Sequence, residues 1–169
     1  WENNCLVSQS ADITVLFKVG LPILFERSVE QFENDHATWV RALRLLPHYS
    51  IVHKQDVYQQ VPFNKEPCEQ SPSFLQVASD AHFQGRMHLQ HTCYVYVTLS
   101  SKQNMQTQSV ANMLCRNRIV PKDMLQPDRI ADFLDKVAQF KAVLTEAGYR
   151  VQRLGEAEVV GNDAYSGLL

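Results

Sequence analysis

Residues 28–46, SVEQFENDHATWVRALRLL, constrain the fold more than any other stretch, because they read as a capped amphipathic helix closed by Pro47. Ser28 with Gln31 three positions on has capping-box form, in which each side chain satisfies a backbone N–H that the first helical turn leaves without a partner. Val29, Phe32, His36, Trp39, Leu43 and Leu46 recur at spacings of three and four, which gives one apolar stripe expected to face a core. Pro47 ends the helix, since it lacks an N–H and its ring clashes with the preceding turn. Strand-like segments flank the helix on both sides. Upstream, DITVLFKV sets Ile13, Val15, Phe17 and Val19 on one face and stops at Gly20 and Pro22. CLVS, separated from it by QSA, is expected to pair with it as a hairpin. Downstream, Tyr49 to about Tyr58 reads as the next strand.

The pattern then repeats. QQVPFNKEPCEQSPS reads as a polar loop, and SFLQVASDAHFQGR as a shorter helix with Phe74, Leu75, Ala78 and Phe83 inward. HTCYVYVTL is rich in β-branched and aromatic residues and reads as a strand. Residues 100–109 are an expected loop, and VANMLCRN a short helix. A second long helix is expected over about 128–147, with Ile130, Phe133, Leu134, Val137, Phe140 and Leu144 inward and Gly148 as the residue just past its end. YRVQRL reads as a last strand, and 162–169 as the start of a helix or a linker. The order β-β-α-β-α-β-α-β-α reduces to two β-α-β units once the first strand and the short helices are set aside. It predicts an α+β, ferredoxin-like sandwich over residues 1–161. The sheet is expected to be mostly antiparallel, with an extra N-terminal hairpin strand, an inserted short helix and two long helices on one face.

A length of 169 residues suits one core, and 45% hydrophobic with 20% charged residues is the composition of a globular chain. A formal net charge of -2 gives no general attraction to nucleic acid or an anionic membrane. The longest apolar run, ITVLFKVGLPILF, is interrupted by Lys18 and Pro22 and is shorter than a membrane span of roughly 20 residues. The chain opens on Trp1 and closes on YSGLL, which reads as a piece of a longer protein. Cys5, Cys68, Cys93 and Cys115 form no C-x-x-C pair and suit a reducing compartment.

The most provocative stretch chemically is SIVHKQDVY, with His53, Lys54, Gln55 and Asp56 in a row. Strand alternation sends His53 and Gln55 to one face and Lys54 and Asp56 to the other, so the four do not converge on one small substrate. An enzyme built on His53 and Asp56 is therefore disfavoured, and the run is a candidate contact surface. HLQHTC brings His88, His91 and Cys93 close in sequence, which suits zinc in ligand type but matches no common finger spacing. His36 sits within the helical stripe, as a packing residue or at the edge of a partner groove. None of the six glycines is followed by lysine and no G-x-G occurs, so the chain encodes no phosphate-cradling loop. Tyr94 and Tyr96 share a strand face, and with Arg116, Arg118 and Lys122 they form an alternative single-stranded nucleic-acid surface.

The segments SADITVLFKVGLPILF, HATWVRALRLLPHYSIVHKQDVY and SFLQVASDAHFQGRMHLQHTCYVYVTL, with NRIVPKDML after them, resemble the N-terminal region of TraG-type conjugation ATPases of Bacteroides-type conjugative transposons. These look like the VirB-class type IV secretion ATPases. The resemblance implies a longer ATPase whose Walker motifs, with ATP and Mg, lie downstream. It implies no catalytic residue, no cofactor and no metal within these residues. The expected role is a non-catalytic docking domain, cytoplasmic and peripheral to the inner membrane, meeting other subunits of the conjugation machine and self-associating through the full-length ATPase.

Overall fold

The computed structural model describes residues 4–9, 11–22, 27–63, 73–100, 126–162 and 165–166. They fall into two compact units, Trp1–Gln55 with Cys93–Leu169, and Asp56–Thr92. The elements are β1 (Leu6–Val7), β2 (Ile13–Gly20), α1 (Val29–Leu43), β3 (Ser50–Pro62), α2 (Phe74–Phe83), β4 (Met87–Leu99), α3 (Pro127–Glu146), β5 (Arg150–Arg153), α4 (Glu156–Val160), β6 (Gly161–Asn162) and β7 (Tyr165–Ser166).

The first sheet has the order β1-β2-β4-β3, with β5 also on β2. The fold is α+β with an antiparallel sheet. β4 pairs β2 along its length, from Ile13↔Leu99 to Val19↔Cys93. The other edge of β2 is shared: β1 pairs at Thr14 and Ile13, and β5 from Phe17 to Gly20. The expected hairpin of the first two strands is present.

One face of this sheet carries the main core. Val15, Phe17, Val95 and Val97 are buried from β2 and β4, and Phe133, Val137, Phe140 and Leu144 from α3. The stripe expected for the second long helix is thus the observed one. α3 ends as Gly148 suggests. Its φ of 90° lies in the left-handed region that glycine adopts without strain. Gly148 N–H donates to Thr145 O and Tyr149 N–H to Leu144 O, the two bonds of a Schellman ending.

α1 is capped as expected: Gln31 N–H donates to Ser28 Oγ (3.2 Å) and Ser28 N–H to Gln31 Oε1 (3.0 Å). Its buried face, however, is rotated from the expected stripe. Ala42 is fully buried, Trp39 and Leu46 pack on the core, and Val29, Phe32, His36 and Leu43 are exposed. The reason is steric. The Trp39 ring meets Phe140 edge-on at 6.2 Å and Tyr149 at 5.7 Å, and the small Ala42 side chain lets the backbone approach closely.

On the other sheet face, Leu16, Leu154 and Val159 form a smaller core, with Tyr94 and Tyr96 packed against it. Val159 comes from α4, a short helix not foreseen in the sequence. Where a helix or linker was expected from 162 onward, Gly161–Asn162 pairs antiparallel with Tyr165–Ser166. Gly161, at φ 83°, turns the chain out of α4.

The unit Asp56–Thr92 is built differently. It holds the second half of β3, α2 and the first part of β4, and none of its described residues is buried. Both strands run further than their sequences suggest, to Pro62 and back to Met87, because each supplies the other with backbone partners. α2 is capped by Ser73, whose Oγ accepts from Gln76 N–H (3.2 Å). The expected inward residues are out: Phe74 is 84% exposed and Leu75 77%, with Phe83 also exposed. Apolar side chains at helical spacing imply a cover, and the described residues of this unit do not provide one. The short helix expected at VANMLCRN, the 100–109 loop beyond Ser100, and Arg116, Arg118 and Lys122 lie outside the described residues.

Candidate contact face on the third strand

β3 divides the polar run as alternation requires. His53 and Gln55 both reach Tyr96, within the first unit. The His53 ring meets the Tyr96 ring at 5.5 Å and 66°, and Tyr96 Oη–H donates to Gln55 Oε1 at 2.7 Å. Burial pushes the Tyr96 hydroxyl above its ordinary pKa, with the neighbouring Tyr94 adding to the shift. Both effects favour the neutral phenol, which is the form that donates to Gln55.

Asp56 turns to the opposite face, where His91 Nε2–H donates to its Oδ1 at 2.8 Å. The Tyr58 ring stacks on His91 at 4.6 Å with an interplanar angle of 17°. Lys54, in the first unit, is exposed. The structure therefore pairs His53 with Gln55 around one tyrosine in the first unit, and Asp56 with one histidine in the second. Tyr58 and His91 are the partners that sequence reasoning missed. Their signal is the register between two strands far apart in the chain, which no local pattern contains.

An aspartate holding a histidine can orient a general base, but such a base must reach the proton it removes from a nucleophile. The contacts at His91 are a carboxylate and an aromatic face, which is the arrangement of a positioned surface side chain. The zinc grouping is not formed. Cys93 is buried in the main core, His91 is bonded to Asp56, and His88 lies against Phe63 at 6.1 Å. Among the described residues no group of three His, Cys, Asp or Glu side chains could hold a metal.

Tyr94 and Tyr96 are half-buried against Leu16, Leu154 and Val159. Their rings are part of the smaller core, which withdraws aromatic area that a base would need for stacking. Elsewhere in the first unit, Arg27, Asp35, Arg41 and Glu146 line a polar cleft of about 460 Å³, and Arg27 Nε lies 3.7 Å from Asp35. Two cations and two anions face it, so it favours neither sign of ligand.

At the N-terminus, residues 1–37 match the model of a family described as "Domain of unknown function, B. Theta Gene description (DUF3875)". No curated protein and no solved structure matches the chain. Among the described residues no helix is long and apolar enough to cross a membrane.

Proposed function

We propose that this chain is a non-catalytic docking domain of a conjugative DNA-transfer ATPase of the type IV secretion class, cytoplasmic and peripheral to the inner membrane. One observation carries the docking part. The unit Asp56–Thr92 presents Tyr58, Phe74, Leu75, Met87 and Leu89 to its surroundings, with Leu89 71% exposed, and none of its described residues is buried. A large apolar surface of this kind is stabilised when a partner removes it from water. The conjugation context rests on the resemblance of residues 10–25, 36–58 and 73–99. In this reading ATP and Mg bind downstream, and the partners are subunits of the secretion machine.

The ferredoxin-like arrangement is part of the same proposal. Its support is the strand order β5-β2-β4-β3, with α1 linking β2 to β3 and α3 falling between β4 and β5. A nucleic-acid role for Tyr94, Tyr96, Arg116, Arg118 and Lys122 is the lesser alternative, because both tyrosine rings are engaged in packing.

The experiment has two arms. The open reading frame beyond residue 169 should contain G-x-x-x-x-G-K-[ST]; a complete frame without it removes the ATPase reading. In the full-length protein, Phe74→Asp with Leu89→Asp should weaken co-assembly with the other secretion subunits while circular dichroism stays unchanged. Undiminished assembly would reject the docking surface.

A further inference from the structure

We infer that the polar cleft between α1 and the end of α3 binds a small zwitterion of the free amino-acid class. The inference goes beyond the docking reading and concerns the first unit alone.

α1 contributes a single stripe to this cleft. Gln31, Asn34, Asp35, Thr38 and Arg41 recur at spacings of three and four, so they share one face of the helix, beside the Trp39 and Ala42 side that packs on the core. The stripe is polar from end to end and covers about 15 Å of helix. Arg27 joins it from just before the Ser28 cap, and Glu146 and Ala147 line the cleft from the end of α3. The volume of about 460 Å³ lies within the range of small-ligand sites, about 300–1,000 Å³. One charge is fixed from behind. The hydroxyl of Tyr149, a residue only 5% exposed, is hydrogen-bonded to both Trp39 and Asp35. An indole N–H only donates and a carboxylate only accepts, so the chain of bonds runs from Trp39 to Tyr149 to Asp35. The Trp39 and Tyr149 rings are themselves packed edge-on at 5.7 Å. Asp35, its side chain 17% exposed, is thus a positioned carboxylate. Arg27 Nε lies 3.7 Å from it, too far for a hydrogen bond and near enough to balance its charge.

The remaining two charges are of opposite sign and come from different helices. Arg41 belongs to the last turn of α1 and Glu146 is the last residue of α3. Among the described residues neither takes part in an ion pair. The carbonyl end of α3 adds partial negative charge beside Glu146, and no basic residue in its last turn offsets it. A ligand with one charge meets a like charge in this cleft as well as an opposite one. A ligand with both charges satisfies both sides. Its ammonium goes to Glu146 and the end of α3, and its carboxylate to the Arg41 guanidinium, whose planar fork can bond both carboxylate oxygens. Asn34 and Thr38 offer neutral donors and acceptors between them. Among the described residues no large apolar side chain lines the cleft, so it suits an amino acid with a polar side chain rather than an aliphatic one.

Isothermal titration calorimetry of the 169-residue chain against the common L-amino acids, one at a time, should give saturable one-to-one binding for at least one polar member, with a Kd of about 1 mM or tighter. The N-acetyl form of that amino acid lacks the ammonium and its carboxamide lacks the carboxylate. Each blocked form should bind about tenfold more weakly or worse. Arg41→Gln and Glu146→Gln should each weaken binding of the free amino acid about tenfold or more, with circular dichroism unchanged because both side chains are exposed. No binding by any of the amino acids, equal binding of the blocked forms, or binding by both variants as tight as that of the wild type each overturns the site. The blocked forms test the wild-type chain itself, so the outcome does not depend on how a variant folds. The docking test with Phe74→Asp and Leu89→Asp changes other residues and reads assembly, so the two readings can fail separately.

Discussion

Phe140→Ala and Phe74→Ala delete the same atoms and should have very unequal consequences. Phe140 is fully buried on α3, with its ring centroid 6.2 Å from both Phe17 and Trp39. Removing it forfeits the transfer energy of the ring and leaves a cavity walled by a sheet and a second helix that can collapse only partly. The expected loss is about 4 kcal/mol. Against a stability of about 5–15 kcal/mol for a domain, that is a large fraction. Phe74 is 84% exposed on α2, and its removal should change stability by less than about 0.5 kcal/mol. Urea unfolding followed by far-UV circular dichroism reads the secondary structure of both units. With a slope of about 2 kcal/mol per molar, Phe140→Ala should lower the midpoint by about 2 M and Phe74→Ala by no more than about 0.3 M. A comparable loss in both variants would mean that α2 is a core element, and the exposed-surface argument would fall with it.

Other perturbations test narrower points. Ser28→Ala should destabilise by about 1 kcal/mol, with most of the loss already present in Gln31→Ala, because the two share one capping box; a double-mutant cycle gives the coupling. The pKa values of Tyr96, Tyr149 and Cys5 are all raised, first by burial. Each folded group binds its proton more tightly than the unfolded one, so stability is full below the ordinary values of 10.0 for the tyrosines and 9.0 for the cysteine and falls as pH rises through the higher folded values. Urea midpoints through the alkaline range should show that decline, and Tyr96→Phe should make it shallower. The exposed Asp56–His91 pair should contribute less than about 1 kcal/mol, measured by a cycle of Asp56→Asn and His91→Gln.

The parts of the fold legible in the sequence are those where one local period decides the outcome. The alternation in β2 and the stripe of α3 each name a face, and the face meets a core as expected. The capping box of α1 and Gly148 after α3 were legible because caps are local chemistry. The phase of α1 was not, because Leu43 looks like the better core residue. What selects Ala42 is the closeness of α3, a tertiary fact. The apolar residues of α2 point to burial in any sequence reading, and which surface covers them is not a local property. The division of His53 and Gln55 from Lys54 and Asp56 followed from alternation alone, whereas the partners Tyr96 and His91 needed the register of a distant strand.

The docking claim is tested most directly by amide hydrogen exchange on the 169-residue chain alone and on the same residues within the full-length protein assembled with the secretion subunits proposed as its partners. The account predicts new protection concentrated at residues 74–89, with α3 and β2 protected alike in both states. Unchanged exchange over that segment, with assembly intact, would contradict it.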